Sequence, residues 1–217
     1  MDYNVVVARH EEDGAWLDAL DASKLVVYEK GGGGRGGKAY AQVPLKNVGR
    51  EGETFLRHIV AHYDDLPEYL VLLQGSPFDH FHAGVTAANL RAKIKELVAS
   101  RPSAARTLFA NDHIERFATY PGLLTSDYFT HFFDAPLPPH NAFAAGSQYI
   151  VPRHAVRARP REFYEALRGM LLRGNTTDAR QAHDGPNALD ASAISGWTLE
   201  RMFLYLLSPE LPLNVKG

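Results

Sequence analysis

The chain has 217 residues, 45% of them apolar and 11% aromatic, and a formal net charge of -2. That is enough apolar material for a sizeable core, which excludes a mainly disordered chain, and no basic excess announces a broad nucleic-acid face. With no cysteine, neither a disulfide frame nor a thiolate metal site can form.

Tyr3-Asn4-Val5-Val6-Val7-Ala8 is a β-branched run without polar alternation, as expected of a strand covered on both faces. Arg9 to Asp13 is a charged turn, and Trp16, Leu17 and Leu20 predict a short helix over Gly14 to Leu20. Leu25-Val26-Val27-Tyr28 is a second strand. Strand, helix, strand opens a parallel α/β sheet. A glycine-rich stretch runs from Gly31 to Gly37, and Tyr40 to Pro44 is extended. Phe55, Leu56, Ile59, Val60 and Tyr63 then recur at helical spacing, and the turn Asp64-Asp65-Leu66-Pro67 ends that helix. Tyr69 to Leu73 is the third strand and Thr86 to Ser100 an amphipathic helix. Arg101 to Phe143 is irregular, aromatic and proline-rich. Gln148 to Val151 reads as a fourth strand, and helices over Pro160 to Leu172 and Asn187 to Leu207 close the chain. The expected fold is a single α/β domain over 1–217, its mostly parallel, Rossmann-like sheet flanked by helices. Met1-Asp2-Tyr3-Asn4 carries no basic leader or cleavage site, and no window reaches roughly 18 consecutive apolar residues. A cytoplasmic location without a membrane partner is the expectation.

Gly32, Gly37 and Lys38 have the spacing of a phosphate-binding loop. Ala39 stands where Ser or Thr would bind magnesium, and an extended segment follows instead of a helix, so the match is rejected. A stronger signal is Asn47-Val48-Gly49-Arg50-Glu51 at the start of a helix. Asn47 as cap, Gly49 allowing close backbone approach and Arg50 as cation make an anion or diphosphate cradle; an ordinary cap with a surface ion pair fits the same residues. Carboxyl ends of parallel strands are where open α/β sheets place ligands, which draws attention to Gln74-Gly75-Ser76-Pro77-Phe78-Asp79-His80-Phe81-His82. Asp79, His80 and His82 have the ligand types for a divalent metal, or form a capped turn. Gly146-Ser147-Gln148-Tyr149 is a small-residue turn entering a strand. In the last helix Glu200, beside Trp197, is a candidate base if buried, or the partner of Arg201 in an ion pair. His183 and Asp184 sit in a polar stretch read as a mobile loop, and no spacing supports a hydrolase triad.

The opening Val5 to Arg9 with Glu11 and Trp16-Leu17 resembles that of a bacterial and fungal family of unknown function. The likeness continues through Tyr28-Glu29-Lys30-Gly31, Asn47 to Glu51, Tyr63 to Pro67, Leu73-Gln74-Gly75 and Gly146 to Val151, and ends with Trp197, Glu200 and Arg201. The order of elements is similar, more distantly, to the nucleotide-binding half of A-type glycosyltransferases. That likeness implies a nucleotide-binding-like half over 1–100 and an acceptor-side half over 101–217. It implies a sugar transferase using a nucleotide-diphosphate donor and a hydroxyl acceptor, with nucleic acid entering only as a modified acceptor. Donor contacts then fall to Arg9, Glu11, Tyr28, Lys30, Asn47, Gly49 and Arg50, with Gln74, Gly75 and Gln148 at the strand ends. Glu200, Asp79 and His80 are the catalytic candidates. Those enzymes usually carry Asp-x-Asp where this chain has Gln74-Gly75-Ser76. Either Asp79, His80 and His82 hold Mn2+ or Mg2+ instead, or cations such as Arg50 neutralise the diphosphate without metal. Two rival readings are a non-catalytic nucleotide- or carbohydrate-binding protein and a metal-dependent hydrolase using Asp79, His80 and His82.

Overall fold

A computed structural model describes residues 1–31, 39–81, 84–108, 113–115, 141–143, 146–173 and 191–207. The stretch 32–38, His82, most of the 101–143 segment, and His183 with Asp184 lie outside the described residues. Eight strands are described: β1 (Tyr3–Arg9), β2 (Leu25–Glu29), β3 (Ala41–Pro44), β4 (Tyr69–Gln74), β5 (Arg106–Thr107), β6 (His113–Glu115), β7 (Asn141–Phe143) and β8 (Tyr149–Pro152). The helices are α1 (Arg50–Ala61), α2 (Ala87–Ala99), α3 (Arg153–Arg157), α4 (Arg161–Arg173) and α5 (Ala191–Leu206).

Six strands form one sheet in the order β3-β2-β1-β4-β8-β5, and β6 pairs with β7 separately. From β3 to β4 the neighbours are parallel, whereas β8 runs antiparallel to both β4 and β5. The sheet is therefore mixed, not mostly parallel. The reversal has a consequence for the site: Tyr149 pairs with Leu72 and Pro152 with Tyr69. The residues just before β8, Gly146 to Gln148, are thereby delivered to the carboxyl end of β4.

The unbroken apolar run of β1 is explained by its neighbours. Successive side chains point to opposite faces, so Val6 and Ala8 enter one core while Val5 and Val7 enter another. The first core packs α1, α4 and α5 against the sheet through Phe55, Leu56, Ile59, Leu167 and Phe203, with Tyr149 stacked on Phe203 at 4.5 Å between ring centroids. The second packs α2 and the turn after β1 through Leu90, Ile94, Val98, Trp16 and Leu17. Each such side chain contributes roughly 1.5–3 kcal/mol when fully buried.

Local chemistry sets the boundaries. Thr86 and Asn89 form a reciprocal capping box at the start of α2. Pro44 sits in β3, which among the described residues pairs only with β2, and an edge strand tolerates the missing N–H. The short helix expected over Gly14 to Leu20 is a 3-10 helix over Ala15–Ala19. One sequence expectation is corrected. Asn47 is not the cap of α1: the cap is Gly49 at φ +63°. Among the described residues no helix is long and apolar enough to cross a membrane.

Candidate functional site

In the order β3-β2-β1-β4 the connections leave β1 and β4 in opposite directions, and open α/β sheets bind ligands outside the strand carboxyl ends at such a point. A cleft of about 220 Å³ opens at the carboxyl ends of β1 and β2, lined by Ala8, Arg9, His10, Glu12, Lys30, Asn47, Arg50 and Glu51. A neighbouring cleft of about 480 Å³ shares Arg9 and Glu12 and adds Glu11, Asp13, Asp18, Glu29, Tyr40 and Gln42 among its walls.

Each wall has a local cause. Arg9 ends β1 and is pinned by its strand neighbour, with Nη1 2.7 Å from Glu29 Oε2 and Nε donating to the Glu12 carbonyl at 2.8 Å. The Glu12 carboxylate accepts the His10 N–H at 2.6 Å and lies against Gly75, where a Cβ would stand only 2.4 Å from Glu12 Oε2. Lys30, its side chain 3% exposed, donates to the carbonyls of Val48 at 2.8 Å and Arg50 at 2.5 Å. Its Nζ is 3.5 Å from Glu53, which in turn accepts from Arg168 Nε at 2.8 Å. Burial pulls the Lys30 ammonium below its ordinary value, and Glu53 opposes the shift. Lys30 thus ties the end of β2 to the turn that starts α1. In that turn Gly49 and Arg50 have φ of +63° and +51°, a conformation that costs energy for a non-glycine residue. The exposed Arg50 side chain lies over Gly196, with its guanidinium carbon 6.0 Å from the centre of the Trp197 ring.

Glu200 lines neither cleft; it sits on α5 next to Leu199, which meets Gly52 of α1. Its side chain is 10% exposed, its Oε1 accepts the Gly146 N–H at 2.5 Å, and its Oε2 is 3.6 Å from Arg201 Nη1. Burial first, and the charge of Glu51 second, push the carboxyl up to about 7. The N–H groups of Gly146 and Ser147 and the Arg201 charge pull the other way. Gly146 and Ser147 have φ of +96° and +48°. Gly146 also carries the His80 ring, which a Cβ would meet at 2.7 Å.

A family model described as "Protein of unknown function (DUF3431)" matches residues 5–211. The chain belongs to this family. Neither a curated protein nor a solved structure matches it. The DUF3431 description carries no activity, so chemistry has to be argued from the cleft.

Of the residues singled out in the DUF3431 sequence, Arg9, Lys30, Asn47 and Arg50 line the first cleft, over Gly49 at the entry of α1, and Glu11 lines the second. Tyr28 points into the core, where its hydroxyl meets His58 Nδ1 at 3.0 Å. Gln74 Nε2 donates to the Ser76 carbonyl at 2.8 Å, while the Gly75 carbonyl accepts from Trp16 Nε1 at 3.0 Å. Gln148 is fully buried and donates to the Pro77 carbonyl at 3.0 Å. Asp79 and His80 are exposed at the 3-10 turn Pro77–Asp79 and line neither cleft; His82 lies outside the described residues. In the first cleft the polar residues His10, Glu12 and Glu51 carry no site role in the sequence reading. The charged turn after β1 was a signal for the first two. Glu51 was visible in the Asn47 to Glu51 motif, but nothing local pairs it with Glu200.

Proposed function

We propose that this protein is a glycosyltransferase-like enzyme that binds a nucleotide-diphosphate sugar at the carboxyl ends of β1 and β2 and passes the sugar to a hydroxyl acceptor. One observation carries the reading: a shielded carboxyl, Glu200, with its protonation midpoint pushed up to about 7, feels the charge of Glu51, a lining residue of the polar cleft at the strand ends. A general base works best with its midpoint near the operating pH. Glu200 takes the proton of the acceptor hydroxyl as that oxygen bonds to the anomeric carbon. The bond from that carbon to the diphosphate oxygen breaks, and the diphosphate leaves with the electron pair. Arg50 and the Asn47 amide meet its charge.

Among the described residues no group of three His, Cys, Asp or Glu is placed to hold a metal ion, and His82 lies outside them. Gln74-Gly75-Ser76 offers no carboxylate in place of Asp-x-Asp, and no step is routed through a metal.

The test is a thermal-shift screen of nucleotide diphosphates and nucleotide sugars, each with and without Mn2+. A donor at 100 times its Kd stabilises the fold by about 2.7 kcal/mol, a rise of several degrees in Tm. Arg50→Ala cancels the rise, and Glu200→Gln keeps it while abolishing transfer. A protein that no nucleotide stabilises is not a sugar transferase. Stabilisation without turnover of any donor identifies a binding protein.

A further inference from the structure

Arg50 is the exposed cation of the first cleft, and its backbone is fixed from two sides. It stands at φ +51° directly after Gly49 at +63°. The buried Lys30 Nζ holds the Val48 carbonyl at 2.8 Å and the Arg50 carbonyl at 2.5 Å. From there the side chain runs over α5 at Gly196, where a Cβ would meet Arg50 Cδ at 3.0 Å, Cβ at 3.2 Å and Cγ at 3.3 Å. The missing side chain of Gly196 is therefore the space through which the stem passes. Beyond it the guanidinium carbon lies 6.0 Å from the centre of the half-buried Trp197 ring, within the range at which a ring face attracts a cation.

Glu12 and Glu51 line the same cleft, yet among the described residues no carboxylate pairs with the Arg50 guanidinium. The two other cations of the cleft are already engaged, Arg9 by Glu29 and Lys30 by Glu53 and the two carbonyls. A salt bridge would occupy the N–H donors of the guanidinium, whereas attraction to a ring face leaves them available. A planar fork kept in that state matches two oxygens of a phosphate group.

We propose that Trp197 and Gly196 are positioning residues, which hold the Arg50 guanidinium open toward the diphosphate of the ligand. The inference rests on the reading of the first cleft as the diphosphate site and is independent of sugar transfer. Through these two residues α5 acts on a cleft that neither of them lines.

The experiment titrates inorganic pyrophosphate into the whole chain, followed by calorimetry and by the emission of the two tryptophans, Trp16 and Trp197. Pyrophosphate binds wild type and changes its emission. Arg50→Ala loses both effects. Trp197→Phe keeps a ring face, so it retains the affinity within about twofold and loses the emission change. Trp197→Leu weakens binding about two- to fivefold. The methyl group of Gly196→Ala displaces the Arg50 stem and also weakens binding, although alanine is the better helix former. Where Trp197→Leu does not fold, Gly196→Ala decides the matter. The proposal is overturned if either folded variant binds pyrophosphate as tightly as wild type. It is equally overturned if wild type shows no more emission change than Trp197→Phe, or binds no pyrophosphate. Pyrophosphate bound as described, with no nucleotide sugar stabilising the fold, removes the transferase reading and leaves this inference standing.

Discussion

Two buried titratable groups dominate the energetics at the scale of single residues, and they act in opposite directions. Glu200 has its midpoint at about 7 against an ordinary 4.5. Between those values the folded state keeps a proton that the unfolded chain has released, so the contribution is complete below pH 4.5 and lost as pH rises through 7. Glu200→Gln therefore gains on wild type as pH rises, by about 2–3 kcal/mol at pH 8, and urea unfolding at pH 5 and pH 8 reads the difference. His58 is the reverse case. Burial, with His62 adding to it, holds its imidazole down to about 3 against 6.5. Its contribution is complete above pH 6.5 and is lost as pH falls toward 3, reaching about 3 kcal/mol by pH 4.5. His58→Gln, which keeps an acceptor for the Tyr28 hydroxyl, flattens the acid limb of the stability profile. From pH 4.5 to 6.5 the two groups oppose each other, so Glu200→Gln leaves a profile that falls more steeply toward acid than wild type.

Between elements, the crossing of α1 and α5 rests on the absence of a side chain at Gly52. Gly52→Ala places a methyl group 2.5 Å from Leu199 Cδ2 and 3.4 Å from its Cγ, and overpacking of this kind costs about 1–3 kcal/mol. Leu199, 1% exposed, costs about 2–5 kcal/mol when cut to alanine. In the double variant the new methyl occupies part of the space vacated by the leucine. The expected outcome of a double-mutant cycle is therefore a combined loss smaller than the sum of the two. A combined loss equal to the sum would mean that the helices do not meet at this point.

Across the molecule, Glu53 joins three parts that are distant in sequence: the end of β2 through Lys30, α1 on which it sits, and α4 through Arg168. Lys30 and Glu53 are both almost fully buried, whereas Arg168 keeps 27% of its side chain exposed. Breaking a buried pair leaves an uncompensated charge, at about 3–5 kcal/mol. Glu53→Gln should approach that loss in urea unfolding, while Arg168→Ala costs less because its guanidinium is already partly solvated. The same link holds the Val48 to Arg50 turn at the cleft, so Glu53→Gln also weakens any donor stabilisation that depends on Arg50.

The sequence alone determined the inner strands, because β-branched runs such as Val5-Val6-Val7 and Leu70 to Leu73 can be buried on both faces only inside a sheet. It likewise determined α1 and α2 from their apolar spacing, and the lack of any thiolate chemistry from the absence of cysteine. Asn47 and Arg50 were legible because a helix start is a local feature, whereas Arg9 and Lys30 were singled out only by the resemblance; all four line the first cleft. The direction of β8 was decided only by tertiary structure, since a short apolar run reads the same way in either direction. So was the inward turn of Tyr28, which follows from the face of β2 that meets α1. The burial of Glu200 was decided at the same level. Local pattern encodes which faces are apolar; which faces meet depends on packing between distant elements, and the shielded carboxyl of Glu200 is a product of that packing.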